Sequence, residues 1–356
     1  MRAPLVLIDG SSYFFRAFHA LPPLTNSKGR PTGAVYGVAN MVKKLVKDYP
    51  KSQVIVVFDA KGKTFRHDWY PDYKSHRPPM ADDLANQFQP LLSLIKAMGL
   101  PLLMVGGVEA DDVIGTLTVL ANKENSPVVI STGDKDLTQL VNENVILINT
   151  MTNQCYDIKK VKEKFGVLPS QIIDYLALIG DSIDNVPGIP KCGPKTAAKW
   201  LEQYQTMENI IADADSIPGK IGENLRDSIQ FLPLSKKLVT IQTDVQLPFE
   251  LHDLVTKDRD IEKLVALTQE LEFKGWLKEL LEESEKELKR QIPIKYTIIN
   301  TLDKLDDLLT ELSTSSLISL DVKTTSFDPL QSDIVGIALA TVVNNPYYMA
   351  ICGLGA

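Results

Sequence analysis

Short apolar runs that each stop at an acidic residue limit most strongly what this chain can become. Leu5-Val6-Leu7-Ile8 meets Asp9, and Val54-Ile55-Val56-Val57-Phe58 meets Asp59. Leu102-Leu103-Met104-Val105 is followed, after a glycine turn, by Glu109, Asp111 and Asp112. Val128-Val129-Ile130-Ser131 leads to Asp134 and Asp136, and a helical stretch from Ile172 to Ile179 leads to Asp181 and Asp184. Apolar, β-branched runs of this length alternating with helical segments read as buried parallel strands. In open α/β sheets, ligand sites lie beyond the carboxyl ends of the strands. These carboxylates are therefore expected on one rim. So much negative charge in one place is unfavourable unless cations neutralise it, and divalent ions with oxygen ligands suit that task.

A chain of 356 residues is long enough for two domains and a sizeable core. The net charge of −7 argues at first against a nucleic-acid partner. Much of it comes from the acidic set, which bound cations would offset, so local basic stretches matter more than the total. Cys155, Cys192 and Cys352 are far apart and form no metal-ligand spacing. A reduced, cytoplasmic chain without disulfides is expected. The apolar residues before Asp9 are too few for a signal peptide, and no run is long enough to span a membrane.

The spacing predicts strands near 4–8, 54–58, 101–105, 127–131 and 145–149. Helices fit Ser11 to Ala20, Ala34 to Lys47, Leu84 to Met98, Ala110 to Asn122 and Leu137 to Val141. The expected fold is α/β with a mostly parallel central sheet flanked by helices. Residues 60–82 interrupt that alternation, and a connection so long is usually functional or mobile. Residues 1–167 are expected to form an α/β core. Residues 168–290 read as a helical subdomain, with one long helix from Glu262 to Arg290. Pro293 marks a boundary. After it, strand–helix–strand patterns at Tyr296 to Ile299, Leu302 to Leu312 and Leu317 to Asp321, then strands at Ile334 to Ala340 and Pro346 to Ile351, suggest a partial α/β segment over 291–356.

Taken singly, each acidic site has a plain structural explanation. Asp9-Gly10 could be a turn, Glu109, Asp111 and Asp112 could cap a helix, Asp134 and Asp136 could be turn or N-cap residues, and Asp181 and Asp184 could be loop residues between helices. Independent caps need not recur at the ends of successive parallel strands, so shared metal binding is the better reading. Two divalent ions about 3.5–4 Å apart are a recurring device for phosphodiester cleavage. The segment 61–79 interleaves Lys61, Lys63, Arg66, Lys74 and Arg77 with Phe65, Trp69, Tyr70 and Tyr73. That mixture suits single-stranded nucleic acid through phosphate attraction and base stacking, or a solvated loop with aromatics packed beneath it. Val186 to Ala198 reads as a tight hairpin entering a helix at Pro194. Backbone N–H groups there can hold a phosphate, and the bland alternative is an ordinary helix–turn–helix corner.

The motifs DGSSYFFRAFHA, GAVYGV, VVFDAKGKTFRHDWYPDYKSHRPPM, GVEADDVIGTL, STGDKDLTQLV and IGDSIDNVPGI resemble the 5′-nuclease domain of bacterial DNA polymerase I, a family that includes the flap endonucleases. The resemblance covers about residues 1–290. It implies a PIN-like 5′-nuclease fold and a metal-dependent nuclease acting on 5′ ends and on 5′ flaps of nicked or branched DNA, in primer removal and repair. It implies Mg²⁺ or Mn²⁺, as two ions, held by Asp9, Asp59, Glu109, Asp111, Asp112, Asp134, Asp136, Asp181 and Asp184. Tyr73, Lys74 and Arg77 would lie in a helical arch at about 60–82, with Lys74 and Arg77 on the scissile phosphate. Residues 186–198 would be a helix–hairpin–helix element gripping duplex backbone, with K⁺ as a companion ion. The DNA-contacting set expected is Arg66, Gly188, Lys191, Gly193, Lys195 and Thr196. No membrane partner and no oligomer are expected, and the location implied is a bacterial cytoplasm, on the nucleoid.

Two departures from the family pattern stand out. The hairpin carries Lys191-Cys192-Gly193 where the family has Gly-hydrophobic-Gly; a side chain at 191 either impedes close approach to phosphate or adds a cation. Residues 296–356 look like the start of the same polymerase's 3′–5′ exonuclease domain, but the strand that should end Asp-x-Glu ends Asp321-Val322-Lys323. Neither proofreading nor polymerisation is expected of this chain. Two rival readings are a non-catalytic branched-DNA-binding module and a metal-dependent ribonuclease of the related superfamily. A nucleotide-cofactor dehydrogenase is disfavoured because no strand is followed by G-x-G-x-x-G.

Overall fold

β1 (Leu5–Asp9) runs through the middle of a six-stranded sheet in the computed structural model, which describes residues 3–291, 296–326, 331–341 and 346–351. α1 (Gly10–Ala20) leaves β1 at once, capped by Asp9, whose carboxylate accepts from the Ser12 N–H at 2.9 Å. α2 (Gly33–Asp48), β2 (Val54–Val57), α3 (Phe65–Trp69), α4 (Asp82–Ala97), β3 (Leu102–Leu103), α5 (Ala110–Lys123), β4 (Val128–Ser131), β5 (Val145–Asn149) and β6 (Gln154–Tyr156) complete this layer. The strand order is β3-β2-β1-β4-β5-β6, parallel throughout except between β5 and β6. β1, β2 and β4 are buried along their whole length, which is why their sequences are unbroken apolar runs rather than alternating ones. The chain steps from β1 out to β3, then returns to lay β4 on the other side of β1. That reversal leaves a crevice beyond the carboxyl ends of β1, β2 and β4.

Helices follow: α6 (Ile158–Phe165), α7 (Ile172–Ile179), α8 (Pro194–Tyr204), α9 (Met207–Ala212), α10 (Gly219–Ser228), α11 (Leu232–Val239), α12 (Ile261–Glu270) and α13 (Lys274–Gln291). One buried apolar cluster joins Leu7, Ile130 and Leu137 of the α/β layer to Tyr175, Leu176, Leu201 and Leu238 of the helices. The chain divides into two compact units, Met1–Lys274 and Gly275–Ala356. The second contains β7 (Thr297–Ile299), α14 (Leu302–Thr314), β8 (Ser319–Thr324), β9 (Ile334–Ala340) and β10 (Tyr347–Ala350), in strand order β7-β10-β9-β8. Asp321 and Lys323 lie on its exposed edge strand β8 and pair at 2.9 Å. Pro293 and Cys352 fall outside the described residues. Among the described residues, no helix is long and apolar enough to cross a membrane.

One strand was not anticipated and two local expectations are corrected. The antiparallel strand β6, which covers the edge of β5, has too few residues to show a period. Leu137 to Val141 is a 3₁₀ turn over Asp136–Leu140 rather than an α-helix. The stretch from Glu262 is two helices, not one. Glu272 takes a left-handed φ of 58°, and the buried Phe273 turns the chain between them.

Candidate active site

The crevice beyond β1, β2 and β4 collects the carboxylates. Asp9, at the end of β1, accepts from Thr132 Oγ1 at 2.6 Å, and Thr132 Oγ1 in turn accepts from the Asp134 N–H at 2.9 Å. Asp134 Oδ1 accepts from the Asp136 N–H at 2.9 Å, so one chain of hydrogen bonds sets three acidic residues in order. Asp59, after β2, accepts from the Ala110 N–H at 2.9 Å and so lies at the start of α5. Burial pushes the Asp9 carboxyl up to about 7, with Asp134 and Asp59 adding to the effect. Burial, then Asp134, Asp9 and Asp59, raises Asp111 well above the ordinary carboxylate range. Burial and Asp134 push Asp136 up to about 8 against the opposing pull of Lys135, with smaller contributions from Asp181 and Asp184. Asp9, Asp59, Asp111 and Asp134 therefore form one mutually repelling group. Asp136, Asp181 and Asp184 extend it on the side of α7.

Cations of the chain lean into this rim. Lys74 Nζ stands 2.5 Å from Glu109 Oε1 and 3.6 Å from Asp184 Oδ2. Burial disfavours its charge, but Glu109 and Asp184 outweigh that and hold its pKa above the usual lysine value. Arg77 pairs with Asp184 through Nε, at 3.0 Å, and through Nη2. Lys135 Nζ reaches Asp181 Oδ2 at 3.1 Å, and this outweighs burial to hold Asp181 below its ordinary value. The Tyr73 hydroxyl is buried 3.2 Å from Glu109 Oε2 and 3.4 Å from Asp184 Oδ2, and burial with those two carboxylates raises its pKa. The structure thus brings Tyr73, Lys74 and Arg77 against the carboxylates. Thr132 and Lys135 were not anticipated; the lysine between two aspartates in Asp134-Lys135-Asp136 was the signal available.

Arg66 is corrected. It was expected to touch DNA, but it is only 2% exposed and its donors are engaged inside the protein. Nη1 and Nη2 grip Asp112 at 2.7 and 2.8 Å, Nε donates to the Leu238 carbonyl at 2.9 Å, and Nη2 also donates to the Thr240 carbonyl at 2.9 Å. Asp112 is corrected with it. Its side chain is fully buried, and it accepts two further bonds, from the Glu109 and Gln242 N–H groups, at 3.0 and 2.9 Å. Four donors saturate a carboxylate, so in this arrangement Asp112 has no lone pair left for a metal. The aromatic faces of the same segment are also occupied. Phe65 packs on Trp69 at 4.6 Å between centroids, and Lys237 Nζ lies 3.7 Å above the Trp69 ring.

In the hairpin, Gly188 packs closely against backbone. A Cβ there would collide with the Ile179 carbonyl and the Gly180 N–H. Lys191, Gly193 and Lys195 have the access that phosphate contact needs: Lys191 and Lys195 are exposed, and a Cβ at Gly193 would meet open space. Lys191 adopts a left-handed φ of 68°, the conformation a glycine would take without strain. Gly193 caps α8, and the Thr196 N–H donates back to its carbonyl at 3.0 Å.

As the side chains stand, no three acidic, histidine or cysteine groups among the described residues form a ready metal cage. The chain's own ammonium and guanidinium groups supply the counter-charge instead. The donor set still fits divalent ions. Three recessed carboxyls are forced toward protonation by one another and by burial, and Asp136 Oδ1 is buried with no hydrogen-bond partner. Hard dications with oxygen ligands relieve both conditions.

Residues 4–166 match the model of a 5′-3′ exonuclease N-terminal, resolvase-like domain, and residues 167–262 match the C-terminal SAM fold of the same family. DNA polymerase I of Pseudomonas aeruginosa is 46% identical over 98% of this chain, which spans 40% of that relative's length. The 5′-3′ exonuclease of Aquifex aeolicus is 43% identical over 78% of this chain and 94% of its own. Among solved structures, T5 5′-exonuclease with bound zinc aligns with a TM-score of 0.57 and 24% identity, over 78% of this chain and 98% of that one. The flap endonuclease of bacteriophage T5, solved with DNA and metal ions, aligns with a TM-score of 0.57 and 25% identity, over 79% and 99%. With both parts of the family model matched in order across most of its length, the chain belongs to the 5′-3′ exonuclease family.

Proposed function

We propose that this chain is a divalent-metal-dependent, structure-specific 5′-nuclease that hydrolyses phosphodiester bonds at 5′ ends and 5′ flaps of branched DNA, as in primer removal and repair. The carrying observation is the acidic rim with two arch-segment cations, Lys74 and Arg77, reaching into it. Asp9, Asp59, Asp111 and Asp134, with Asp136, Asp181, Asp184 and Glu109, would hold two ions, Mg²⁺ or Mn²⁺. When bound, such ions supply positive charge to the attacked phosphate and make a nearby water more acidic.

The chain's own groups do the rest. Lys74 and Arg77 exchange their carboxylate partners for the scissile phosphate and take up the charge that grows on its free oxygens. Tyr73, buried beneath them, keeps Glu109 and Asp184 in place. Arg66 and Asp112 hold the start of α5 by an internal ion pair. Lys191, Lys195 and the N-terminus of α8, at Gly193 and Thr196, bind duplex backbone without reading sequence, and K⁺ belongs to that same hairpin in the proposal.

The test is a 5′-labelled flap duplex incubated with the chain in Mg²⁺, in Mn²⁺ and in EDTA. Cleavage near the junction with either metal and none in EDTA is expected. Tight binding with no metal-stimulated cleavage would instead mark a DNA-binding module, and preferential cleavage of single-stranded RNA would mark a ribonuclease.

A further inference from the structure

Residues Asp72 to Arg77 form a strap that lies across the loop carrying Asp181 and Asp184. That loop is stiff. Asp181 and Val186 pair through both backbone bonds, at 3.0 and 2.7 Å, and the Asp181 side chain accepts from the Ile183 and Asp184 N–H groups at 2.8 and 3.3 Å. Two kinds of tie fasten the strap to it. One kind is ionic: Lys74 on Glu109 and Asp184, and Arg77 on Asp184. The other is neutral. The Lys74 N–H donates to the Asp184 carbonyl at 2.9 Å, and Asn185 Nδ2 donates to the Asp72 carbonyl at 2.8 Å and lies 3.5 Å from Ser75 Oγ.

Both residues at this crossing have left-handed backbones, with φ of 56° at Lys74 and 57° at Asn185. Glycine would adopt that conformation at less cost, but glycine has no side chain to cross the gap. Asparagine is the ordinary residue that best tolerates it. Its amide reaches out from a rigid turn to the backbone of a segment more than a hundred residues away in sequence.

The ionic ties use the carboxylates that the proposed function assigns to metal, so cations entering the rim compete with them. A neutral amide-to-carbonyl bond is indifferent to that exchange. We propose that Asn185 is a positioning residue: it keeps the strap seated when metal displaces Lys74 and Arg77 from Glu109 and Asp184, so that both cations stay within reach of the phosphate. Asn185 touches neither metal nor substrate in this scheme, which rests on the nuclease reading above.

The test uses the full chain with Asn185→Gly and Asn185→Ala. The glycine variant keeps the left-handed backbone and removes only the amide; the alanine variant also strains the turn. Hydrogen exchange of peptides covering the strap is measured with and without Mg²⁺, with peptides from β1 and α5 as controls for folding. Single-turnover cleavage of a 5′-flap duplex and DNA affinity in Ca²⁺ complete the set. In Mg²⁺, strap amides of both variants should exchange about tenfold faster than wild type, with β1 and α5 unchanged. Cleavage at saturating DNA should slow roughly 10- to 100-fold, with affinity within about twofold. Wild-type strap exchange in the glycine variant overturns the assignment, as does faster exchange with an unaltered cleavage rate. Either result leaves the nuclease reading intact if wild type cleaves. A wild-type chain that leaves the flap uncut overturns the nuclease reading and the positioning role together.

Discussion

Arg66 holds Asp112 by both oxygens inside the protein, so the acidic pair at the start of α5 is split between two tasks. Asp112 faces inward to a guanidinium, and Asp111 faces the rim with its pKa raised by burial and by other carboxylates. Neighbours in sequence thus do opposite work. Removing Asp112 strips the buried Arg66 of its two-oxygen partner and leaves it only the Glu109 carboxylate at 3.3 Å; breaking such a buried pair costs about 3–5 kcal/mol. Asp112→Ala should lose that much stability in urea unfolding. Asp111→Asn should unfold no more easily than wild type without metal, because it removes repulsion, yet it should lose cleavage. Equal stability losses for the two would refute this division.

The raised carboxyls give a pH dependence with a definite sign. Asp9 at about 7 and Asp136 at about 8 keep protons in the folded chain that the unfolded chain has released at its ordinary value of 3.8. Between those limits the folded state binds more protons, so stability falls as pH rises. In EDTA, the melting temperature should be higher at about pH 5 than at about pH 8, and Mg²⁺ should raise it more at the higher pH. The lowered carboxyl of Asp181 acts in the opposite sense, but below the unfolded carboxylate range, outside this window. A metal-free chain that is equally stable at both values would contradict the prediction.

Lys74 competes with metal for Glu109 in the arrangement seen here. Lys74→Met should therefore bind Mn²⁺ about two- to fivefold more tightly in calorimetry without DNA, the equivalent of a partly exposed ion pair. The same variant should cleave at least roughly 100-fold more slowly, having lost a charge on the phosphate. Weaker Mn²⁺ binding would show that Lys74 supports the metal site rather than substituting for metal.

The two hairpin glycines should separate by phenotype. Gly188→Ala forces a methyl into the Ile179–Gly180 backbone and should cost about 1–3 kcal/mol of stability. Gly193→Ala meets open space and should fold normally, so any loss of duplex affinity reads contact directly. Lys195→Ala should weaken duplex binding across sequences and lower the salt slope by about one. Normal stability for Gly188→Ala would remove the packing explanation.

The strands and their acidic ends were legible because burial on both faces demands unbroken β-branched runs, and a parallel sheet places the ends of such runs on one side. Asp9, Asp59, Asp111 and Asp134 follow from that rule without any knowledge of side-chain geometry. The helix break at Leu271–Phe273 was not legible because a helical period continues through it, and the 3₁₀ turn over Asp136–Leu140 was not because five residues are too few to tell it from an α-helix. Arg66 looked like a DNA-facing cation because it stands among Lys61, Lys63, Lys74 and Arg77 in a segment interleaved with aromatics. Nothing near it in sequence indicates that Asp112, Leu238 and Thr240 converge on it.

Sequence alone determined which residues end the strands, and so where negative charge must gather, because backbone geometry sets that locally. Tertiary structure alone decided which charges face one another, which of them point inward, and that Asn185 lies beneath Asp72. Those pairings join segments tens to more than a hundred residues apart, and only the packed core brings them within hydrogen-bonding distance.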